Sequence, residues 1–168
     1  MAPPRRTSLS LVVFASLANG SFYFSSLAGA SDSNSGSSPS SPWRHLSKLD
    51  GLQLPPGSDV LLERGSVFID DPIELLFPNK VTLGAYGNQS TPRPKIASYT
   101  LAGAVKCVSL VYPNSVLVTQ LHLVGCTTGI GIAVSGGVQS NLTISNNVFR
   151  DVNAPDSLYN PPGSFWGK

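Results

Sequence analysis

Charged side chains are scarce in this 168-residue chain: they make up 12% of it, and the formal net charge is +2. Of the eleven basic residues, Arg5 and Arg6 lie in the first 30 positions, which leaves nine basic against nine acidic residues in the rest. No basic patch indicates a nucleic-acid partner, and no run of like charge indicates an acidic partner. We therefore expect no nucleic-acid binding.

Metal-ligating side chains are also few, since the chain has two cysteines, Cys107 and Cys126, and two histidines. Two cysteines are too few for a structural zinc site, and His122 has no partner at ligand spacing. The sequence predicts no metal site and no identifiable cofactor. In a secreted chain the two cysteines are candidates for a disulfide. The alternative is that both are buried thiols that pack as small apolar residues.

What the sequence does contain is an internal repeat. Residues 103–126 and residues 129–152 align without a gap at an offset of 26 positions, and their apolar residues coincide. In this alignment Val108 meets Val134, Val118 meets Ile144 and Leu123 meets Phe149. A period of this size is typical of stacked repeats, in which each unit buries its apolar face against the next.

The residue types within each copy indicate strands. Apolar residues alternate in Val116-x-Val118 and Leu142-x-Ile144, with Asn, Gly and Ser between the runs, and no helical period is present. Equivalent strands one period apart would pair in parallel, about 4.8 Å from each other. We therefore predict an all-β chain whose residues 54–152 form a parallel β-helix of about four rungs.

This offset bears on the cysteines. It places Cys107 beside Ala133 and Cys126 beside Val152, so the two sulfurs are not stacked on neighbouring rungs. Both interpretations of the cysteines, a disulfide and two buried thiols, stay open.

Three segments resemble a known family. The sequence Asn141-Leu-Thr-Ile-Ser-Asn-Asn-Val-Phe-Arg-Asp resembles a common rung of right-handed parallel β-helix proteins of the pectate-lyase-like superfamily, and residues 56–68 and 81–87 resemble their opening rungs. The resemblance covers residues 54–152. It implies a secreted, right-handed β-helix protein related to polysaccharide-processing lyases, hydrolases or epimerases, with a polysaccharide or cell-surface glycan as partner. A lyase-type activity would also imply bound Ca²⁺.

The catalytic signatures of that superfamily are absent. The chain lacks the paired-Asp and Gly-His-Gly pattern of polygalacturonases, the Arg-x-Pro-x-x-Arg pattern of pectate lyases and the Asp-Pro-His-Asp pattern of alginate epimerases. Asp70 and Asp71 precede Pro72, as in a turn, and Arg150-Asp151 is typical of a surface pair. The catalytic residues stay unknown, and whether the chain is an enzyme stays open. The alternatives are a non-catalytic module that binds glycans or proteins, and a truncated fragment without activity.

Three residues are candidates for ligand contact. Gln120 and His122 follow a predicted strand, near Asn146 and Val148 of the next rung, where polar side chains can meet a sugar; the alternative is that they are ordinary solvent-facing positions. Tyr86 opens an insertion, residues 86–96, whose glycine and prolines break any strand. Inserted loops often carry binding surface, although an irregularity without a ligand fits equally well.

The two ends of the chain are expected to lie outside the coil. Residues 1–30 resemble a secretory signal, with Arg5 and Arg6 before an apolar run and Ala28-Gly-Ala30 as a cleavage site. A membrane anchor over residues 9–30 and an organelle transit peptide are the alternatives, and no later segment is long and apolar enough to span a bilayer.

The remaining segments follow from composition. Residues 31–53 are expected to form a flexible Ser-rich linker, followed from residue 43 by a cap over the first rung. Residues 153–168 either fold over the last rung or belong to a longer coil.

Two sequons complete the pattern. Asn88-Gln-Ser90 and Asn141-Leu-Thr143 match the N-glycosylation motif, which acts only in a eukaryotic secretory pathway. Asn141 has the alternative of bonding the backbone at a turn.

Overall fold

The computed structural model describes residues 20–99, 105–134 and 141–152. These residues form twelve strands and one short 3-10 helix, η1, over Leu46–Leu49. The strands, in chain order, are β1 (Ser21–Phe24), β2 (Asp59–Glu63), β3 (Val67–Ile69), β4 (Ile73–Leu76), β5 (Thr82–Tyr86), β6 (Lys95–Ala97), β7 (Lys106–Val111), β8 (Leu117–Thr119), β9 (His122–Val124), β10 (Thr128–Ala133), β11 (Thr143–Ser145) and β12 (Val148–Arg150).

The strands pair in parallel into three sheets. Sheet A has the order β1-β2-β5-β8-β11, sheet B has the order β12-β9-β6-β3, and sheet C has the order β10-β7-β4. From β2 onward the chain visits sheets A, B and C in turn, so each circuit stacks on the one before it. This arrangement confirms the predicted all-β class and the parallel β-helix.

The predicted offset of 26 positions holds in two of the three sheets. Val118 lies opposite Ile144 in sheet A, and Leu123 lies opposite Phe149 in sheet B. In sheet C the prediction is wrong, because Val108 lies opposite Ile130 rather than Val134. The shift is four residues, and side chains alternate with a period of two, so either register keeps the same residues facing inward. The apolar pattern therefore cannot distinguish the two registers.

The inward-facing residues form one continuous core. Strands β2, β4 and β8 alternate buried and more exposed positions, as expected for a sheet with one covered face. The fully buried side chains include Val60, Leu62, Leu83, Val118 and Leu123. At one corner Asn147 replaces missing backbone partners, since its Nδ2 donates to Val118 O and its Oδ1 accepts from Leu121 N. Bonds of this kind satisfy backbone groups where the chain turns between sheets.

The predicted boundary at residue 30 is wrong for the described part of that segment. Strand β1 begins at Ser21 and pairs with β2 along the edge of sheet A. Phe22 and Phe24 point into the core, while Ser21 and Tyr23 are only partly buried. This alternation of buried and partly buried positions is typical of a strand, although the segment has the composition of a signal peptide. Residues 1–19, which carry most of the predicted targeting signal, lie outside the described residues.

The prediction of a flexible linker over residues 31–42 is also wrong. Asn34 Nδ2 donates to Gly29 O and Pro42 O, and Trp43 Nε1 donates to Asn34 O. Gly36 has a φ of +67°, and a Cβ there would lie 2.4 Å from the Trp43 ring, so only glycine fits. The low apolar content misled the prediction, because Ser and Asn side chains order this segment through local hydrogen bonds.

The 3-10 helix η1 lies over the exposed edge of β4. Its Leu46 and Leu49 are buried in the core, and the Asp71 carboxylate accepts hydrogen bonds from the backbone N–H groups of Leu46 and Ser47. The segment thus occupies the place that was predicted for a cap. Among the described residues, no helix is long and apolar enough to cross a membrane.

Candidate functional site

A groove of about 540 Å³ runs along the outer face of sheet C, where β4 meets η1. Its charged lining consists of the carboxylates of Asp50, Asp70, Asp71 and Glu74 and the ammonium group of Lys106. The groove is therefore mainly acidic. Among the described residues, no group of three or more His, Cys, Asp or Glu side chains has the geometry of a metal site.

Two of these carboxylates hold the fold together. Asp70 Oδ1 accepts from Ser98 Oγ at 3.1 Å and from Tyr99 N at 3.0 Å. Asp71 accepts from the two N–H groups of η1 at 2.7 and 3.1 Å. Burial raises the pKa of Asp71, and the two hydrogen bonds only partly offset this effect. Both residues sit at the turn that the sequence predicted for them.

The other charged groups of the groove face the solvent. Glu74 lies opposite Ser109 and, one strand further, Gly131, so these three positions form one outward row. The Lys106 side chain crosses this row, because a Cβ on Gly131 would lie 2.6 Å from Lys106 Cδ. Glycine at position 131 therefore allows the long Lys106 side chain to lie flat over β10, two strands away from Glu74 on β4. A carboxylate and an ammonium group on an open β surface can together bind sugar hydroxyls.

The predicted contact residue Tyr86 lies on the outer face of sheet A. Its ring packs edge-on against Tyr23, with 5.2 Å between centroids, and its hydroxyl donates to Glu63 Oε2 at 3.5 Å. Burial, followed by the negative charge of Glu63, raises the pKa of Tyr86. The ring is thus partly occupied by contacts within the protein.

The predicted contact residue Gln120 lies at the corner between sheets A and B, with a φ of +62°. Its Oε1 accepts a hydrogen bond from the Arg64 guanidinium, which also donates to Thr91 O at 3.2 Å. Gln120 and Arg64 therefore hold the inserted loop against the coil. The structure does not bring Gln120 and Tyr86 onto the same sheet face as His122.

His122 lies on the outer face of sheet B, between Lys95 of β6 and Val148 of β12. Burial lowers the pKa of its imidazole, and three positive charges lower it further: those of Lys95, Arg150 and Arg93. The sequence interpretation missed two of these cations, Arg93 and Lys95, because it compared apolar positions only. The segments Lys95-x-Ala97, His122-x-Val124 and Val148-x-Arg150 occupy equivalent positions on neighbouring strands. A comparison of their polar residues would have placed Lys95, His122 and Arg150 on one sheet face.

The two cysteines form a disulfide, with 5.6 Å between their Cα atoms. Cys107 lies in β7, and Cys126 lies one circuit later, at the corner between β9 and β10. The offset of 26 positions argued against this contact, but the true register of β10 on β7 is four residues shorter. The bond joins two consecutive circuits of the coil.

Both sequon asparagines and one pair of aromatic rings also lie on the surface. Asn88 is exposed in the inserted loop, and its Oδ1 accepts from Ser90 N at 2.9 Å. Asn141 is exposed just before β11.

At the corner between sheets C and A, the exposed rings of Phe77 and Tyr112 stack, with 5.2 Å between centroids and an interplanar angle of 14°. Stacked exposed aromatics offer a flat apolar edge to a ligand.

Comparison with known proteins finds relatives among glycan-degrading enzymes. No protein-family profile matches the chain. Over 93 residues, 51% of this chain, it is 34% identical to a lacto-N-biosidase of Bifidobacterium longum subsp. longum, of which the match covers 6%.

The fold is similar to two crystal structures, native and selenomethionine, of a GH136 lacto-N-biosidase from Eubacterium ramulus. The TM-scores are 0.64 and 0.65, the identity is 24%, and the match covers 80% of this chain and 27% of that one. The chain thus spans a small part of the proteins that it matches, and the structural similarity supports the β-helix fold.

Proposed function

We propose that this chain is part of a secreted, glycan-acting protein related to the glycoside hydrolases that release lacto-N-biose. The observation that carries the proposal is the 34% identity to a lacto-N-biosidase over 93 residues. The similar β-helix in the GH136 structures supports it. The proposal favours hydrolysis over the lyase and epimerase activities considered from the sequence, and it includes no Ca²⁺.

The finer features of the fold belong to the same proposal. We assign the coil to the right-handed, pectate-lyase-like type, with about four rungs in this chain. A secretory leader, where one is removed, would end before Ser21 rather than after Ala30, because β1 is part of sheet A. Loss of β1 would expose the backbone edge of β2.

Within this proposal, the described residues bind glycan rather than cleave it. Hydrolysis requires two carboxylates on either side of the scissile bond. Asp70 and Asp71 are poorly suited, because backbone N–H groups already occupy their oxygens. Glu74 and Lys106, which face the solvent in the groove of sheet C, are the groups that we expect to contact sugar hydroxyls.

The test is a titration of the ¹⁵N-labelled 168-residue chain with lacto-N-biose, followed by NMR. We expect shift changes confined to β4, β7 and η1, and binding at least roughly five-fold weaker in Glu74→Gln, since a hydrogen bond to a charged group contributes about 1.5–3 kcal/mol. Asp59→Asn, on the outer face of sheet A, is the matched control and should bind normally. Absence of any shift change at saturating sugar would contradict the proposal.

The same titration also tests the non-catalytic alternative, a cell-surface module that binds glycans. The exposed Phe77–Tyr112 stack is the observation that favours it. Shift changes centred on these two residues, with no release of lacto-N-biose from its p-nitrophenyl glycoside, would support this module. Release of p-nitrophenol by the chain alone would instead place catalytic groups within these 168 residues.

A further inference from the structure

The outer face of sheet B carries two rows of side chains that the proposed function does not use. The first row runs Val67, Lys95, His122, Val148 across β3, β6, β9 and β12, and the second runs Ile69, Ala97, Val124, Arg150 across the same strands. Neighbouring strands in such a sheet lie about 4.8 Å apart. The ammonium group of Lys95, the imidazole of His122 and the guanidinium of Arg150 therefore extend from three consecutive strands of one face.

No ion pair joins Lys95, His122 or Arg150 to a carboxylate among the described residues. The one ion pair found in the described ranges joins Asp32 and His45 of the N-terminal segment. Of the carboxylates close in sequence to the face, Glu63 accepts the Tyr86 hydroxyl, and Asp70 accepts Ser98 Oγ and Tyr99 N. Asp151 follows Arg150 in the chain but forms no ion pair with it.

His122 adds a second, independent observation. Its Nε2 atom is buried, and no hydrogen-bond partner for it exists in the part of the chain that the structure describes. Buried polar atoms almost always have a partner, which can be a bound ion or ligand. Because the surrounding side chains are cations, they can act only as donors. In the tautomer that carries its proton on Nε2, His122 is a donor as well, and the partner that then fits both this nitrogen and the cations is an anionic oxygen group.

The same face also offers an apolar surface beside the cations. Val67 is 40% exposed and Ile69 is 57% exposed, and both lie on β3, which pairs with β6, the strand of Lys95. A sugar ring presents C–H groups on one side, and these groups pack well on apolar side chains. A ligand that combines a sugar ring with an anionic substituent would therefore use both parts of the face.

We propose that the outer face of sheet B binds the carboxylate or sulfate of an acidic glycan through Lys95, His122 and Arg150, with the sugar ring over the apolar residues of β3. The substituent accepts hydrogen bonds from the two cations and from the N–H of His122. That the ligand is a glycan rests on the proposed function. The face is separate from the groove of sheet C, so one chain would hold a neutral and an acidic part of a glycan at different positions.

The test uses three matched sugars on the ¹⁵N-labelled full chain: galactose, galacturonic acid and galactose 6-sulfate. We expect both acidic sugars to shift the amides of β6, β9 and β12, and galactose to bind at least ten-fold more weakly. Equal effects of the two acidic sugars assign the site to anionic groups in general. A response to one of them alone identifies which substituent the site accepts.

Two variants separate local binding from net charge. Lys95→Gln combined with Arg150→Gln should weaken the acidic sugars at least ten-fold. The control variant Lys80→Asn removes one exposed charge at another corner, where the backbone has a φ of +53° that asparagine tolerates, and it should bind normally. Circular dichroism confirms that each variant is folded.

Several outcomes would overturn the inference. Equal binding of galactose and the acidic sugars would exclude a role for the anionic group. Binding of inorganic sulfate as tight as that of galactose 6-sulfate would exclude a glycan. Equal weakening by Lys80→Asn would indicate an effect of net charge alone. If lacto-N-biose still binds the groove while the acidic sugars do not bind sheet B, this inference fails and the proposed function stands.

Discussion

Leu110 and Ile132 occupy the same inward position on neighbouring strands of sheet C, but their surroundings differ completely. Leu110 is fully buried, whereas Ile132 is 44% exposed. The same contrast holds in sheet A, where Val118 is buried and its partner Ile144 is 41% exposed. In each pair the residue on the later strand has a neighbouring strand on one side only, among the residues that the structure describes.

The first circuit shows the opposite situation. Strand β1, η1 and the Ser-rich segment cover its edge, and Phe24, Leu46 and Leu49 of this cover are at most 2% exposed. A rung of this coil is therefore buried by its neighbours and not by its own sequence. The apolar pattern is equally strong in the covered and the uncovered circuits, as expected for a stacked repeat.

The largest effect is expected where this difference in burial is tested directly. Leu110→Ala removes side-chain atoms from the packed core and should lower the free energy of unfolding by about 2–5 kcal/mol. Ile132→Ala, at the equivalent uncovered position, should cost less than about 1.5 kcal/mol, because much of its surface is already in water. Urea unfolding followed by circular dichroism measures both. Equal losses would show that Ile132 is covered in solution and would remove the contrast.

A slightly smaller effect is expected from the covalent bond that joins the two regions. The Cys107–Cys126 disulfide closes a loop with a sequence separation of 19 and should contribute roughly 3 kcal/mol by restricting the unfolded chain. In the Cys107→Ser, Cys126→Ser double variant, hydrogen exchange should therefore speed up most in β10–β12 and least in β1 and β2. A melting temperature that does not change on reduction would instead favour two thiols in solution.

The smallest effect concerns the cover of the first circuit. The pKa of Asp71 is raised in the folded protein, so its contribution to stability is complete below the unfolded pKa and declines as the pH rises through the folded value. Between about pH 3 and 6, the wild type should therefore lose stability relative to Asp71→Asn. The change should be small, because solvent screens the half-exposed carboxylate.

Asp50→Asn, in the same groove but exposed, is the control for this pH series. Urea midpoints measured across the pH range should be parallel for Asp50→Asn and the wild type. A difference between wild type and Asp71→Asn that runs in the opposite direction would mean that the hydrogen bonds from η1 outweigh the burial of Asp71.

Much of the fold could be predicted from the sequence, but less of the candidate site could be. The alternation around Val118 and Leu123 and its recurrence 26 residues later led to the parallel β-helix, and the sheet register confirms it there. The site residues were predicted individually, and the structure separates them. Gln120 bonds Arg64 at a corner and Tyr86 packs on Tyr23, whereas His122 lies on the outer face of sheet B between the strands of Lys95 and Arg150.

By itself the sequence determined the strand pattern, the direction in which each side chain points and the stacking of the circuits, because these depend on a local period of two and on a repeat. The tertiary structure alone decided the register of β10 on β7, and with it the disulfide, since a shift of four residues leaves the apolar pattern unchanged. It also decided that β1 is part of sheet A and that Lys95, His122 and Arg150 share one face. These features join residues far apart in the chain, and only the stacking of the circuits brings such residues into contact.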